Sequence, residues 1–243
     1  MIKFIAKSKQ LQNIVKSLEL TRRFYVSSLL VGEACIGKKT IARHIMPNAV
    51  MVDGEHLAEV LDALHKHEEI IIYNFEKIPN YSDLNFDNKR VIATARYQPK
   101  DSAVDELFGY IYEIPPLSER REDSEALAEL FVTKAKELLG MQEAEVALDP
   151  EKFDLSENSR SLKRHLYKTL IFSQITEAEI EEMMYGFFER NIAGNNDYKK
   201  YLHLYERPLI EAGLKRYKSQ LKLAGILGIN RNTLRKKVNE YGL

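Results

Sequence analysis

An α/β domain with a mostly parallel sheet, continued by an all-helical half, is the fold class that the sequence predicts. Three observations carry it. Short β-rich apolar runs alternate with helical patterns in the first hundred residues. The first run, SSLLV, leads into VGEACIGKKT (Val31 to Thr40), which has the spacing of a phosphate-gripping loop in Gly32, Gly37 and Lys38. From Ser118 onward the apolar spacing is helical. At 243 residues and 44% hydrophobic, the chain can bury a core as one large domain or two smaller ones.

Strands are expected at Ser27 to Val31, Ala49 to Asp53, Glu69 to Phe75 and Arg90 to Ala95, with helices between the first three. The stretch SERREDSEALAELFVTKAKELLG reads as a helix, with acids early, Lys134 and Lys136 late, and Gly140 as its stop. LDPEKF (Leu148 to Phe153) starts a short helix with Pro150 in the first turn, and Asn158 to Phe172 forms another. Thr176 and Glu179 have capping-box spacing for a further helix. Ala193 to Asp197, rich in residues that tolerate turns, marks a linker.

Composition narrows the class of protein. The first ten residues are interrupted by Lys3, Lys7 and Lys9, and no window approaches the roughly 20 apolar residues of a membrane span. A cytoplasmic chain without a membrane partner is expected. Cys35 is the sole cysteine, which excludes an intramolecular disulfide and a multi-cysteine zinc site, and the six histidines show no ligand spacing. The formal net charge of zero hides an asymmetry. Glu206 to Leu243 holds nine basic against three acidic residues, a net +6, so the remainder carries −6. A compact basic end suits a polyanion such as duplex DNA.

In KSQLKLAGILGINRNTLRKKVNEYGL a first helix would end at Leu227, Gly228 would turn the chain, and Asn230 would cap a second helix. On that second helix Leu234, Val238 and Tyr241 recur at core spacing, which turns Arg231, Asn232, Arg235, Lys236 and Asn239 outward. Lys218, Lys222, Arg231, Asn232, Thr233, Arg235, Lys236 and Lys237 are the candidate DNA-contacting residues.

The segment YERPLIEAGL followed by LGINRNTLRKKVNEYGL closely resembles the C-terminal DNA-binding domain of Fis-type regulators. That resemblance implies a homodimer formed by the helix Tyr205 to Tyr217, with two recognition helices about one DNA turn apart, roughly 34 Å. Gly225 inside the first helix departs from the pattern and should cost about 1 kcal/mol relative to alanine. Upstream, FIAKSKQLQNIVKSL, VGEACIGKKTIAR, PPLSERREDSEALAELFV and NSRSLKRHL occur in the order found in the AAA+ domain of sigma-54-dependent activators. Nearly the whole chain is covered, and PPLSERRED is the most specific of these upstream blocks. The resemblance implies an AAA+ α/β subdomain over 1–118, a helical lid over 119–192, a linker at 193–200 and a Fis-type helix-turn-helix domain over 201–243. Because the AAA+ pattern starts almost at Met1, no receiver or other sensory domain is expected in front of it.

The resemblance also implies a nucleotide site at Gly32, Gly37, Lys38, Lys39, Thr40 and the lid residue Arg160, with ATP or ADP as ligand. The hydrolytic parts are missing. Lys39 stands where phosphate loops carry a magnesium-binding hydroxyl and this family commonly an acid; Cys35 stands where the family has glycine. Hydrolysis needs adjacent acids at the end of a strand, one for magnesium and one to orient water. The sequence offers Asn74 and Phe75, or Tyr73 and Asn74 if the frame slips by one, and Glu76 only beyond them. Ala95 falls at the family's asparagine, and Val104 and Tyr110 at its intersubunit arginines. No glycine occurs from Glu55 to Phe108, so the GAFTGA loop that grips sigma-54 looks deleted, and direct sigma-54 remodelling is not expected. No catalytic and no metal-ligating residue is assigned. The leading expectation is a DNA-binding regulator with a degenerate AAA+ domain kept as an oligomerisation or nucleotide-responsive scaffold. A slow ATPase using Glu76, and a protein-interaction adaptor, remain the alternatives.

Overall fold

The computed structural model describes residues 4–243, apart from the side chains of residues 22 and 23. The chain divides into two compact units between Ile175 and Thr176.

In the first unit α1 (Lys9–Leu20) precedes β1 (Ser28–Val31), and α2 (Lys38–Ile45), β2 (Val50–Asp53), α3 (Leu57–Lys66), β3 (Glu69–Tyr73), β4 (Arg90–Ala95), α4 (Ser102–Leu107) and β5 (Tyr110–Glu113) follow. The strands form one sheet in the order β2-β3-β4-β1-β5, and every neighbouring pair is parallel. All four expected strands are present. β5 is an addition to them: it is a four-residue edge strand reading YIYE, with Tyr110 and Ile111 exposed, and lacks the buried apolar run that marks a central strand. β3 stops at Tyr73 rather than Phe75 because Asn74 takes a left-handed conformation (φ 53°) and turns the chain into a 3-10 turn over Phe75–Lys77.

Strand alternation sends side chains to two cores. Leu29, Ile70, Ile72, Val91, Ala93 and Ala95 pack on one face with α3 and α4 residues such as Val60, Leu64 and Val104. Leu30, Ile71 and Ile92 pack on the other with Leu11 and Val15 of α1 and Ile41 and Ala42 of α2. The sheet is thus covered on both faces, as parallel sheets require.

Two further helices, α5 (Arg121–Leu139) and α6 (Ser159–Ser173), complete the first unit through contacts of Leu117, Ala128, Val132, Leu162 and Leu166. Gly140 ends α5 in a left-handed cap, as expected, whereas the segment at Pro150 forms only a 3-10 turn capped by Asp149. At the start of α5 lies a buried ion pair, Arg120 with Asp123 at 3.2 Å, both side chains at most 3% exposed. Asp123 accepts hydrogen bonds from the Lys7 and Ser8 amides and from the Ser8 hydroxyl, while Arg120 donates to Pro115 O and Ile36 O. Burial draws the guanidinium pKa down, and the Asp123 charge and hydrogen bond oppose that shift.

The second unit is helical: α7 (Glu177–Asn191), α8 (Asp197–Tyr201), α9 (His203–Tyr217), α10 (Gln220–Leu227) and α11 (Arg231–Tyr241). Thr176 and Glu179 form the expected capping box. α7, read from sequence as part of the lid, groups with this second unit, where Phe187 and Phe188 pack on Tyr201 of α8. The stretch read as a linker holds an ordered turn, with the Asp197 carboxylate accepting from the Ala193 and Gly194 amides and α8 following at once. Ile210, Leu223, Ala224, Leu234 and Val238 form the core of α9, α10 and α11. A Cβ on Gly225 would meet nothing within 4 Å, so close packing does not require that glycine.

Removing one partner of the buried pair leaves an uncompensated charge. Asp123→Ala is therefore expected to destabilise the first unit by about 3–5 kcal/mol, read as an early shift of its urea transition.

Candidate nucleotide pocket and nucleic-acid interface

The loop between β1 and α2 owes its path to backbone conformations that few residues adopt. Gly32 has φ 146°, and a Cβ there would stand 2.6 Å from the Ile114 carbonyl oxygen; Gly37 has φ 102° at the N-cap of α2. Cys35 sits at φ 60°, a left-handed position that costs a non-glycine residue roughly 1–2 kcal/mol. This accounts for the glycine that the family resemblance leads one to expect there.

Side chains at the N-terminal ends of α5 and α6 hold the loop in place. The Arg120 guanidinium donates to Ile36 O at 2.9 Å; the Asn158 amide donates to Ala34 O at 3.1 Å and to the Glu33 carboxylate at 2.8 Å; the Ser159 hydroxyl donates to Cys35 O at 2.6 Å. Asn158 also accepts from the Leu117 amide at 2.7 Å, joining the start of α6 to the turn before α5. Beside the loop lies a cavity of about 160 Å³, lined largely by apolar side chains including Phe4, Ile36, Leu127 and Phe131, with Thr40 and Ser159 contributing hydroxyls.

Lys38 turns back onto the loop, donating to Gly32 O and Glu33 O at 2.5 Å each. Its pKa is lowered to about 8, chiefly by burial, against the opposing charge of Glu76 and with the help of Arg96. Oε2 of Glu76 is shut off from solvent and has no hydrogen-bond partner among the described residues. Arg160 is exposed in the first turn of α6.

The faces of the sheet resolve the reading of the strand end. Tyr73 alternates with Ile71 and shares its face, the one that α2 covers, and the Lys39 ammonium lies 3.4 Å from its ring centroid. Phe75 is fully buried in the opposite core. The Asn74 amide donates to both oxygens of Asp53, at 2.9 and 3.1 Å. Burial raises the pKa of Asp53, but those bonds, the Glu55 amide and the Lys39 charge bring it below the usual value. Ala95 and Val104 are buried in the Phe75 core, and Tyr110 is half-exposed on the edge strand. Sequence reasoning missed the clamps Arg120, Asn158 and Ser159, although they lie in the quoted PPLSERRED and NSRSL blocks, and it missed Arg96, whose nearness to Lys38 no local spacing reveals.

In the second unit Ser219 caps α10, Gly228 ends it in a left-handed turn, and the Asn230 side chain caps α11. Burial of Leu234 and Val238 leaves Arg231, Asn232, Thr233, Arg235 and Lys236 exposed along α11, with Lys218 exposed ahead of α10 and Lys222 exposed within it. Lys237 is placed differently. Its ammonium donates to both Glu206 oxygens, at 2.5 and 2.6 Å, and the Tyr241 hydroxyl donates to the same carboxylate at 2.6 Å. Burial raises the Glu206 pKa, but these two bonds lower it further, while Tyr241 is raised to about 12.

Residues 202–241 match the family described as bacterial regulatory protein, Fis family. No curated protein matches the chain. Among solved structures, NtrX from Brucella abortus in complex with ATP superposes with a TM-score of 0.58 at 16% identity, covering 100% of this chain and 70% of that one, and the same protein with ADP gives the same values. A single-residue variant of RuvB from Thermotoga maritima gives a TM-score of 0.50 at 18% identity, covering 96% of this chain and 85% of that one. The chain shares its fold with the NtrX and RuvB structures and ends in a segment that matches the Fis family, the order implied by its resemblance to sigma-54-dependent activators. Among the described residues, no helix is long and apolar enough to cross a membrane.

A magnesium ion, which phosphate-loop folds commonly employ, does not fit the residues present. The hydroxyl position after Lys38 is an ammonium, the end of β3 offers Tyr73 and Asn74, both oxygens of Asp53 accept from Asn74, and the charge of the remaining nearby acid, Glu76, acts on Lys38.

Two outcomes are expected. Lys38 is charged below about pH 8 and neutral above it, so a phosphate ligand that needs the ammonium should bind roughly thirtyfold more weakly at about pH 9.5 than at pH 7, measured by calorimetric titration. The depressed pKa of Glu206 contributes stability above the ordinary carboxylate pKa that is lost as the pH falls through the folded value. Glu206→Gln is expected to remove about 1.5–3 kcal/mol from the second unit at neutral pH, followed by thermal unfolding.

Proposed function

We propose that the chain is a DNA-binding transcriptional regulator whose AAA+ unit holds a nucleotide without turning it over, and serves as an oligomerisation or nucleotide-responsive scaffold. The exposed basic face of α11, within the segment that matches the Fis family, carries this reading. Arg231, Asn232, Thr233, Arg235 and Lys236 lie where a recognition helix meets phosphates and base edges. Lys218 and Lys222 add positive charge, whereas Lys237 serves the domain through Glu206. We assign the DNA-binding domain to residues 201–243 and, following the family resemblance, its homodimer contact to α9. The mounted phosphate loop, its apolar cavity and the likeness to NtrX solved with ATP and with ADP support ATP or ADP as the ligand, at Gly32, Gly37, Lys38, Lys39, Thr40 and Arg160. The missing acid pair at Tyr73 and Asn74 supports loss of hydrolysis, and the glycine-free interval from Glu55 to Phe108 supports loss of sigma-54 contact.

One observation favours a second reading, a slow ATPase. Glu76 has a buried carboxylate oxygen without a partner among the described residues, and its charge acts on Lys38. ATP turnover abolished by both Glu76→Gln and Lys38→Ala would establish it over the scaffold.

The DNA reading is tested by fluorescence anisotropy with duplex DNA over a salt series. Arg235→Ala combined with Lys236→Ala is expected to impair binding severely and to reduce the salt slope by about 2; unaltered binding would refute the assigned surface.

A further inference from the structure

Lys39 follows the loop lysine directly, in the first turn of α2, where backbone N–H groups point out of the helix. Its side chain is exposed, yet its ammonium is seated: Nζ stands over the face of Tyr73, 3.4 Å from the ring centroid. Tyr73 ends β3 on the face covered by α2, in register with Asp53 on one side and Thr94 on the other. The Asp53 carboxylate, pinned by Asn74, lies within the field of Lys39. An aromatic face and a fixed carboxylate thus favour a positive charge at the point where the loop opens. A metal-free nucleotide is more negative than its magnesium complex by the charge of the ion. Lys38, Lys39 and Arg96 bring positive charge to the same end of the sheet, against the carboxylates of Glu76 and Asp53.

We propose that the Lys39 ammonium takes the part of the divalent ion, so that the site holds a nucleoside diphosphate or triphosphate in its metal-free form. The inference rests on the nucleotide-holding reading above and adds to it the form of the ligand. Magnesium is disfavoured at such a site: the ion would have to approach the Lys39 ammonium, Tyr73 and Asn74 stand where the acid pair would be, and the charge of Glu76 is set against Lys38. Lys39 holds phosphate oxygens electrostatically, and no bond is made or broken.

The test is calorimetric titration of the full chain with ADP, in buffer containing magnesium and in buffer containing EDTA. Affinity in EDTA is expected to equal or exceed that in magnesium. Lys39→Met is expected to lower the EDTA affinity by at least about tenfold with an unchanged melting temperature, and Lys39→Arg to retain it. Affinity at least about tenfold higher in magnesium, or native binding by Lys39→Met, would overturn the metal-free site and leave the nucleotide reading standing. Absence of binding by the native chain in both buffers would remove the nucleotide reading and this inference together.

Discussion

The first unit depends on one buried charge pair. Arg120 and Asp123 are almost fully removed from water, and a pair so placed persists only if its remaining hydrogen-bonding capacity is met. Asp123 meets its share by fixing Lys7 and Ser8 ahead of α1, and Arg120 by fixing Pro115 after β5 and Ile36 in the phosphate loop. Three stretches far apart in sequence, around Ser8, Ile36 and Arg120, are thereby brought to one point. The loop cannot relax away from its strained path, including the left-handed Cys35, without disturbing that pair.

This constraint also shapes the loop between β1 and α2. A phosphate loop on a free turn would cost conformational entropy on binding, whereas this loop is held in advance by Arg120, Asn158 and Ser159. The starts of α5 and α6 support the loop, while Lys39, Tyr73 and Asn74 stand at the positions where the family resemblance leads one to expect a metal-binding group and an acid pair. Holding and turnover are therefore separable in this fold: the first needs loop geometry and positive charge, the second needs acids at the end of β3. In the DNA-binding unit a similar division operates on a smaller scale. Lys237 is drawn into the domain by Glu206, which leaves Arg231, Arg235 and Lys236 as the outward positive charges of α11.

The amino-acid sequence by itself determined the parallel α/β domain, the phosphate loop and the helix-turn-helix, because each is written in local periodicity, in turn residues or in a motif of fixed spacing. Leu234 and Val238 face the core as their spacing requires, and Thr176 with Glu179 forms the capping box. Only the tertiary structure decided what depends on distant residues or on which face a side chain takes. β5 has no apolar run and is a strand because β1 offers it an edge. Tyr73 rather than Phe75 faces α2 because the left-handed Asn74 ends the strand one residue after it. Lys237 reads as one more basic residue on the recognition helix until Glu206, 31 positions earlier, is folded against it. Local patterns record the shape a segment takes, whereas the partner of a buried or seated charge is set by long-range packing that no short stretch encodes.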